Sequence, residues 1–255
     1  MGSRTTAGSG DRYPKDGSSD PPSPPTGRRT GSGSSKRSRR RSGKGASGAR
    51  LIAHDRGLGV RLVAGADEAG RGSLAGPLVA AAVLLDIERL GVAETRALEK
   101  LNDSKQHTAS DREALFPVVM ATASRVAVIS RSVRSIDERG LHKTNIAALR
   151  DALLAVARPG CLCLADGFEV PEIGYDQRAV VRGDATSAAI AAASIVAKVT
   201  RDRYMVRAGE RFPGWGFEDH FGYSTAAHRE AIQAQGVCEL HRMSFQSTAY
   251  QQLAL

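Results

Sequence analysis

All of the net charge of this chain lies in its first fifty residues, and that division limits where a fold can form. Residues 1–50 carry 12 Lys and Arg against 3 Asp and Glu, which accounts for the whole formal charge of +9, while residues 51–255 carry 24 of each sign. The first segment is mostly Gly, Ser and Pro, and contains the basic run Lys36-Arg37-Ser38-Arg39-Arg40-Arg41-Ser42-Gly43-Lys44. With almost no large apolar side chains it cannot bury enough surface to offset the entropy of ordering. The expectation is a disordered basic tail, with its boundary set at residue 55, and one folded domain over 56–255. Such a tail attracts polyanions without reading their sequence; its composition fits a passive solubilising extension equally well.

Compartment and cofactor class follow from what the sequence lacks. Arg28-Arg29 is similar to a twin-arginine export signal, but Thr30-Gly31-Ser32-Gly33-Ser34-Ser35 follows in place of an apolar segment. No run approaches 18 apolar residues, so no membrane span is expected and the protein should be cytoplasmic. Cys161, Cys163 and Cys238 form no C-x₂-C pair, and the first two alternate within Cys161-Leu162-Cys163-Leu164-Ala165, a pattern of buried strand positions in a reducing compartment. The six histidines show no zinc spacing. Any metal ligands should therefore be carboxylates.

The apolar runs Leu62–Ala66 and Leu78–Leu85 predict two antiparallel strands joined by Gly70–Pro77. Ser104–Thr122 reads as helical, with Ser110 as its cap, and Arg125–Ser130 as a strand. Ser135–Val156 has helical spacing of Ile146, Leu149 and Leu153 and stops before Arg158-Pro159-Gly160. Strands at Cys161–Ala165 and Arg178–Val181, an alanine-rich helix from Thr186 to about Ala208 and a helix at Ala226–Gln235 complete the pattern. This predicts an α/β fold: one mixed β-sheet flanked by helices, with a helical C-terminal portion.

Three acidic positions fall at predicted strand ends: Asp67-Glu68, Asp166-Gly167 and Gly183-Asp184. Ligands gather at strand ends in open α/β sheets, so acids far apart in sequence can meet there. Crowded carboxylates raise one another's pKa unless a cation neutralises them, and oxygen ligands suit Mg²⁺ or Mn²⁺. A cluster of four predicts a metal site. Because neighbours on a regular strand point to opposite faces, Asp67 and Glu68 are expected where the strand ends or distorts, next to Gly70. Glycines on either side of Arg71 let the backbone of Gly70-Arg71-Gly72 approach a phosphate closely.

The block Asp67-Glu68-Ala69-Gly70-Arg71-Gly72-Ser73-Leu74-Ala75-Gly76-Pro77, with Leu101-Asn102-Asp103-Ser104-Lys105, Asp166-Gly167, Gly183-Asp184 and Ala192-Ala193-Ser194-Ile195-Val196-Ala197-Lys198-Val199-Thr200-Arg201-Asp202, resembles the bacterial type 2 ribonuclease H (ribonuclease HII) family over residues 60–245. The resemblance implies an RNase H-like fold in a monomer. It implies cleavage of RNA strands in RNA–DNA hybrids and of single ribonucleotides in duplex DNA, leaving 5′-phosphate and 3′-hydroxyl ends. The implied metal and catalytic residues are Asp67, Glu68, Asp166 and Asp184, holding two Mn²⁺ or Mg²⁺ ions. Gly70, Arg71 and Gly72 would contact the 2′-hydroxyl, Tyr223 the next deoxyribose and Lys105 a phosphate.

Phe221 stands where many relatives have lysine, so that lysine's phosphate contact is not carried over. Asp202, with Lys198 and Arg201, is expected to make local ion pairs, and His142 and Asn145 to pack. The alternatives are a type 3 ribonuclease H, whose extra N-terminal domain residues 1–50 are too polar to form, a non-catalytic nucleic-acid binder, and an unrelated two-metal nuclease or phosphatase.

Overall fold

The computed structural model describes residues 47–101, 107–245 and 250; Lys105 and the basic run before Ser47 lie outside them. Five strands, β1 (Leu62–Ala69), β2 (Leu78–Asp86), β3 (Arg125–Arg131), β4 (Cys161–Asp166) and β5 (Gln177–Val180), form one mixed sheet in the order β3-β2-β1-β4-β5. The hairpin β1–β2 and the pair β2–β3 are antiparallel, while β4 runs parallel to both β1 and β5. β2 is buried at every position, as its unbroken apolar sequence requires of a strand covered on both faces.

Helices cover both faces. On one lie α4 (Val133–Arg139) and α5 (Leu141–Val156), whose Ile136, Leu149 and Leu153 pack with Ala64, Ala66, Leu78 and Leu84. On the other lie α1 (Ser47–Arg56), α3 (Ala109–Thr122) and α6 (Ala188–Arg211), packed on Val63, Val83, Leu85 and Leu164. The short α2 (Val92–Ala97) connects β2 to this layer. α6 approaches β1 so closely that a Cβ at Gly65 would stand 2.2 Å from the backbone carbonyl carbon of Ala189.

Four expectations change in detail. The cap of α3 is Thr108, not Ser110: its hydroxyl accepts from Asp111 N–H while the Asp111 carboxylate accepts from Thr108 N–H. The segment expected as one helix over Ser135–Val156 is two, broken where Gly140 takes φ 82°. β1 runs on through Asp67 and Glu68 to Ala69, in regular register with β2. Finally, the folded region begins by Ser47, not after residue 55. Leu51 and Ile52 of α1 are fully buried, and the buried Asp55 carboxylate accepts from Ala189 N–H (2.9 Å) and Ser187 Oγ–H (3.1 Å) at the start of α6. Burial raises the Asp55 pKa against the lowering effect of its bonds to His54, Ala189 and Ser187.

The C-terminal portion is helical as expected, with α7 (Phe217–His220) and α8 (Ala226–Gln235). Its Phe217 and Leu240 pack with Ala75 and Met205, and His241 bridges to Ala75, which joins this portion to the loop after β1. Among the described residues no helix is long and apolar enough to cross a membrane.

Candidate active site

Asp67, Glu68, Asp166 and Asp184 line one cavity of about 330 Å³, together with Gly70, Arg71, Gly72 and Tyr223. Every predicted site residue among the described residues is therefore in one place. The route to it differs from the expected distortion of β1. β1 stays paired to β2 through Ala69, but its pairing to β4 ends at Ala66↔Ala165, which leaves one flank of Asp67 and Glu68 without a neighbouring strand. Alternation places Asp67 on the α6 face and Glu68 on the other. Past the end of β4, both can face the same opening.

Each acid is fixed by something nearby. Asp67 accepts from the Ser194 hydroxyl on α6 and from Glu68 N–H at 2.7 Å. Asp166 closes β4 and accepts from Gly183 N–H at 2.6 Å, tying it to the 3₁₀ turn Gly183–Ala185 that carries the buried Asp184. Burial, then the charges of Glu68 and Asp166, push the Asp67 pKa up to about 8 against the lowering effect of those hydrogen bonds. A buried carboxylate crowded by two others is stabilised as an anion by a cation, so the donor set fits a metal. Among the described residues no three acid, histidine or cysteine side chains stand close enough together to hold a metal ion by themselves. This open, oxygen-only set suits hard ions that complete their coordination with water and phosphate oxygens.

The loop after β1 is held from behind by two fully buried arginines. Arg201 of α6 donates to the carbonyls of Ala75, Pro77 and Phe221 (2.9–3.0 Å), and Arg242 to those of Gly76 and Arg71 (2.8–3.1 Å). Gly70 has φ 87°, and a Cβ there would stand 1.9 Å from Arg201 Nε, so this glycine is required twice over. Gly72 differs: a Cβ there would meet nothing within 4 Å. The Arg71 guanidinium lies 4.6 Å above the Phe168 ring, which His142 meets edge-on at 5.6 Å, and stands 3.9 Å from Glu68 Oε1. His142 thus packs as expected, under the ring that carries Arg71.

Tyr223 is held through His228, which two further histidines contact in turn. His228 Nδ1–H donates to Tyr223 O (2.9 Å), so His228 Nε2 accepts from His241 Nε2–H (3.2 Å), and His241 Nδ1 accepts from Cys238 N–H (2.9 Å). His220 stacks on His228 at 4.3 Å and accepts from Gly222 N–H through Nδ1. The partners assign one neutral tautomer to each ring of the His228–His241 pair. Burial, as the leading cause, lowers both pKa values to about 4.

Asp202 is outside the acid cluster. It pairs with Lys198 at 2.7 Å and with Arg112 at 3.6 Å, and these two cations do line the cavity. Sequence reasoning treated Lys198 as a local ion pair and did not single out Arg112; its position one turn into a capped helix gave no signal. Phe168, Ser194 and Arg242 were likewise not assigned roles. Phe221 lies beneath Lys198, whose Nζ is 5.0 Å from the ring centroid.

A family model for ribonuclease HII matches residues 64–248, the segment that contains all four acids. The chain belongs to the ribonuclease HII family. A ribonuclease HII from Rhizobium johnstonii is 54% identical over 185 residues, covering 72% of this chain and 77% of that protein. One from Salinispora tropica is 46% identical over 202 residues, covering 78% and 73%. Among solved structures, the ribonuclease H2 of Pyrococcus horikoshii OT3 matches with TM-score 0.63 at 25% identity, over 75% of this chain and 96% of that one. A ribonuclease HIII, Bst-RNase HIII in complex with Mn²⁺, shares the fold at 21% identity and TM-score 0.58, over 80% of this chain and 72% of that one. As a ribonuclease HII family member the chain is a divalent-metal-dependent ribonuclease H, an endonuclease acting on RNA–DNA hybrids, and the reading as a non-catalytic binder falls.

Proposed function

We propose that the chain hydrolyses the RNA strand of RNA–DNA hybrids and also cuts at single ribonucleotides embedded in duplex DNA, leaving 5′-phosphate and 3′-hydroxyl ends. The carrying observation is that four acids, an adjacent pair near the end of β1, one at the end of β4 and one on the 3₁₀ turn before α6, share one cavity with the Gly70-Arg71-Gly72 backbone and Tyr223. In this reading Asp67, Glu68, Asp166 and Asp184 hold two Mn²⁺ or Mg²⁺ ions. When bound, such ions activate water and neutralise charge on the leaving oxygen of an in-line displacement.

The residues of the chain supply position and selectivity. Arg201 and Arg242 hold the Gly70–Pro77 loop rigid from within, so its backbone is presented without reorganisation. The open space at Gly72, where neither packing nor φ calls for glycine, suits close approach of a 2′-hydroxyl, the group by which RNA is told from DNA. Tyr223, fixed through its carbonyl by His228, offers a ring to the adjoining deoxyribose. Lys105 is kept as a phosphate contact, although it lies outside the described residues.

A duplex DNA with one ribonucleotide, incubated with Mn²⁺, Mg²⁺ or EDTA, tests the proposal. The expected products are cut strands with 5′-phosphate ends in either metal and intact duplex in EDTA, with Asp67→Asn inactive yet folded. Cutting in EDTA, or a fully active Asp67→Asn protein, would overturn the metal assignment; an all-DNA duplex cut equally fast would overturn the selectivity.

A further inference from the structure

On the far side of the 3₁₀ turn that carries Asp184 lies a second cleft, of about 450 Å³, lined by Arg50, His54, Arg182 and Thr186 with Val181 and Ala185. Among the described residues no carboxylate lines it. Arg50 and His54 come from α1, which precedes the segment matched by the family, and Arg182 and Thr186 flank the catalytic turn. We infer that this cleft binds the phosphodiester backbone of the nucleic acid on the Asp184 side of the scissile bond, so that α1 is a duplex-binding element. The inference rests on the ribonuclease reading and extends it to a site outside the catalytic cavity.

Three observations support it. First, the cleft is built. Asp55 anchors α1 to the N-terminus of α6, Arg50 Nη2 donates to Ala185 O at 3.4 Å, and Thr186 Oγ1–H donates to Arg182 O at 3.0 Å. Second, Arg182 holds φ 55°, in the left-handed region that non-glycine residues seldom adopt, and the exposed Val181 precedes it. Such a backbone persists where its surroundings impose it and favours a functional reading over incidental surface. Third, the geometry suits the ligand. Successive phosphates on one strand follow at about 3.4 Å of axial rise, so a strand with one phosphate at the acids must set its neighbours against the adjoining surface. Arg182 and Asp184 are two residues apart on one turn, which places a cationic wall directly beside the acidic one.

Binding of a ribonucleotide-containing duplex by the full chain, followed by fluorescence anisotropy in EDTA between 50 and 200 mM KCl, tests the inference. Arg50→Glu with Arg182→Glu should weaken binding by about tenfold or more and lower the slope of log K against log[salt] by about 2. Since Arg182 sits in a strained turn, Arg50→Glu alone is the second variant, with a slope change of about 1 expected. Arg134→Glu, the same charge change on α4, should alter neither quantity. Unchanged affinity and slope in both cleft variants would overturn the inference while leaving the ribonuclease reading intact, as would an equal effect from Arg134→Glu. A wild-type protein that binds no duplex would overturn both.

Discussion

Lowering the pH from 7 to 5 should destabilise the domain through His228 and His241, and Asp67 should hide most of the effect. Unfolded, each histidine takes up a proton near 6.5; folded, each resists until about 4, because a second ring proton must face a donor where the network supplies one. A depressed folded pKa contributes stability that is present above 6.5 and lost as the pH falls toward 4. Between pH 7 and 5 these values give a loss of about 2 kcal/mol for each ring, or about 4 for the pair. Asp67 acts in the opposite sense. Its folded pKa of about 8 lies above the ordinary 3.8, so metal-free protein loses stability as the pH rises through this range, and acidification to pH 5 recovers about 2.5 kcal/mol. The wild type in EDTA should therefore change by only about 1 to 2 kcal/mol, whereas Asp67→Asn should expose the full loss of about 4. Urea unfolding of both proteins at the two pH values measures this, and His241→Asn in the Asp67→Asn background should reduce the loss to about half. If Asp67→Asn is as stable at pH 5 as at pH 7, the assignment of neutral histidines around Tyr223 is wrong.

Two further outcomes check the packing. Asp55→Ala removes the acceptor for Ala189 N–H and the Ser187 hydroxyl in a dry contact, and should cost about 2–4 kcal/mol; a melting temperature lowered by less than about 2 °C would show that α1 contributes little to the fold. Gly65→Ala forces α6 off β1 and should cost about 3 kcal/mol or more, with a fall in cleavage rate at saturating Mg²⁺ because Ser194 moves with the helix. Full activity in a destabilised Gly65→Ala protein would separate α6 from the positioning of Asp67.

Four of the five strands were legible because each is a short apolar run bounded by glycine or charge, and Asp67, Glu68 and Asp166 because they close such runs, whereas β5 is half polar and Asp184 lies beyond it in a 3₁₀ turn. Other features were hidden for identifiable reasons. Thr108 and Ser110 each precede an acid by three residues, so local sequence offers two capping boxes; the fold selects the first, and Glu113 pairs with Arg203 instead. α1 has only two large apolar side chains buried to mark it, Leu51 and Ile52, and its strongest anchor, Asp55, reads in sequence as a surface acid. Phe168 beneath Arg71, Ser194 beside Asp67 and Arg242 behind the loop are contacts between residues 97 to 171 positions apart or on different layers, which no local pattern encodes. The adjacent pair Asp67-Glu68 needed no bulge: unequal strand lengths on its two sides achieve what a distortion was expected to do.

The contact at Gly65 also bears on how this chain can vary. The atoms facing a Cβ at position 65 are backbone atoms of Ala189 and Ile190, so shortening a side chain on α6 removes nothing that is in the way. Compensation would have to come from moving the whole helix, and α6 carries Ser194, Lys198, Arg201 and Asp202 together, so a shift that accommodates a methyl group disturbs the acid's partner, the cavity cations and the loop clamp at once. Position 65 therefore has no local suppressor, and substitutions along this helix should combine non-additively, as one inherited unit instead of independent sites.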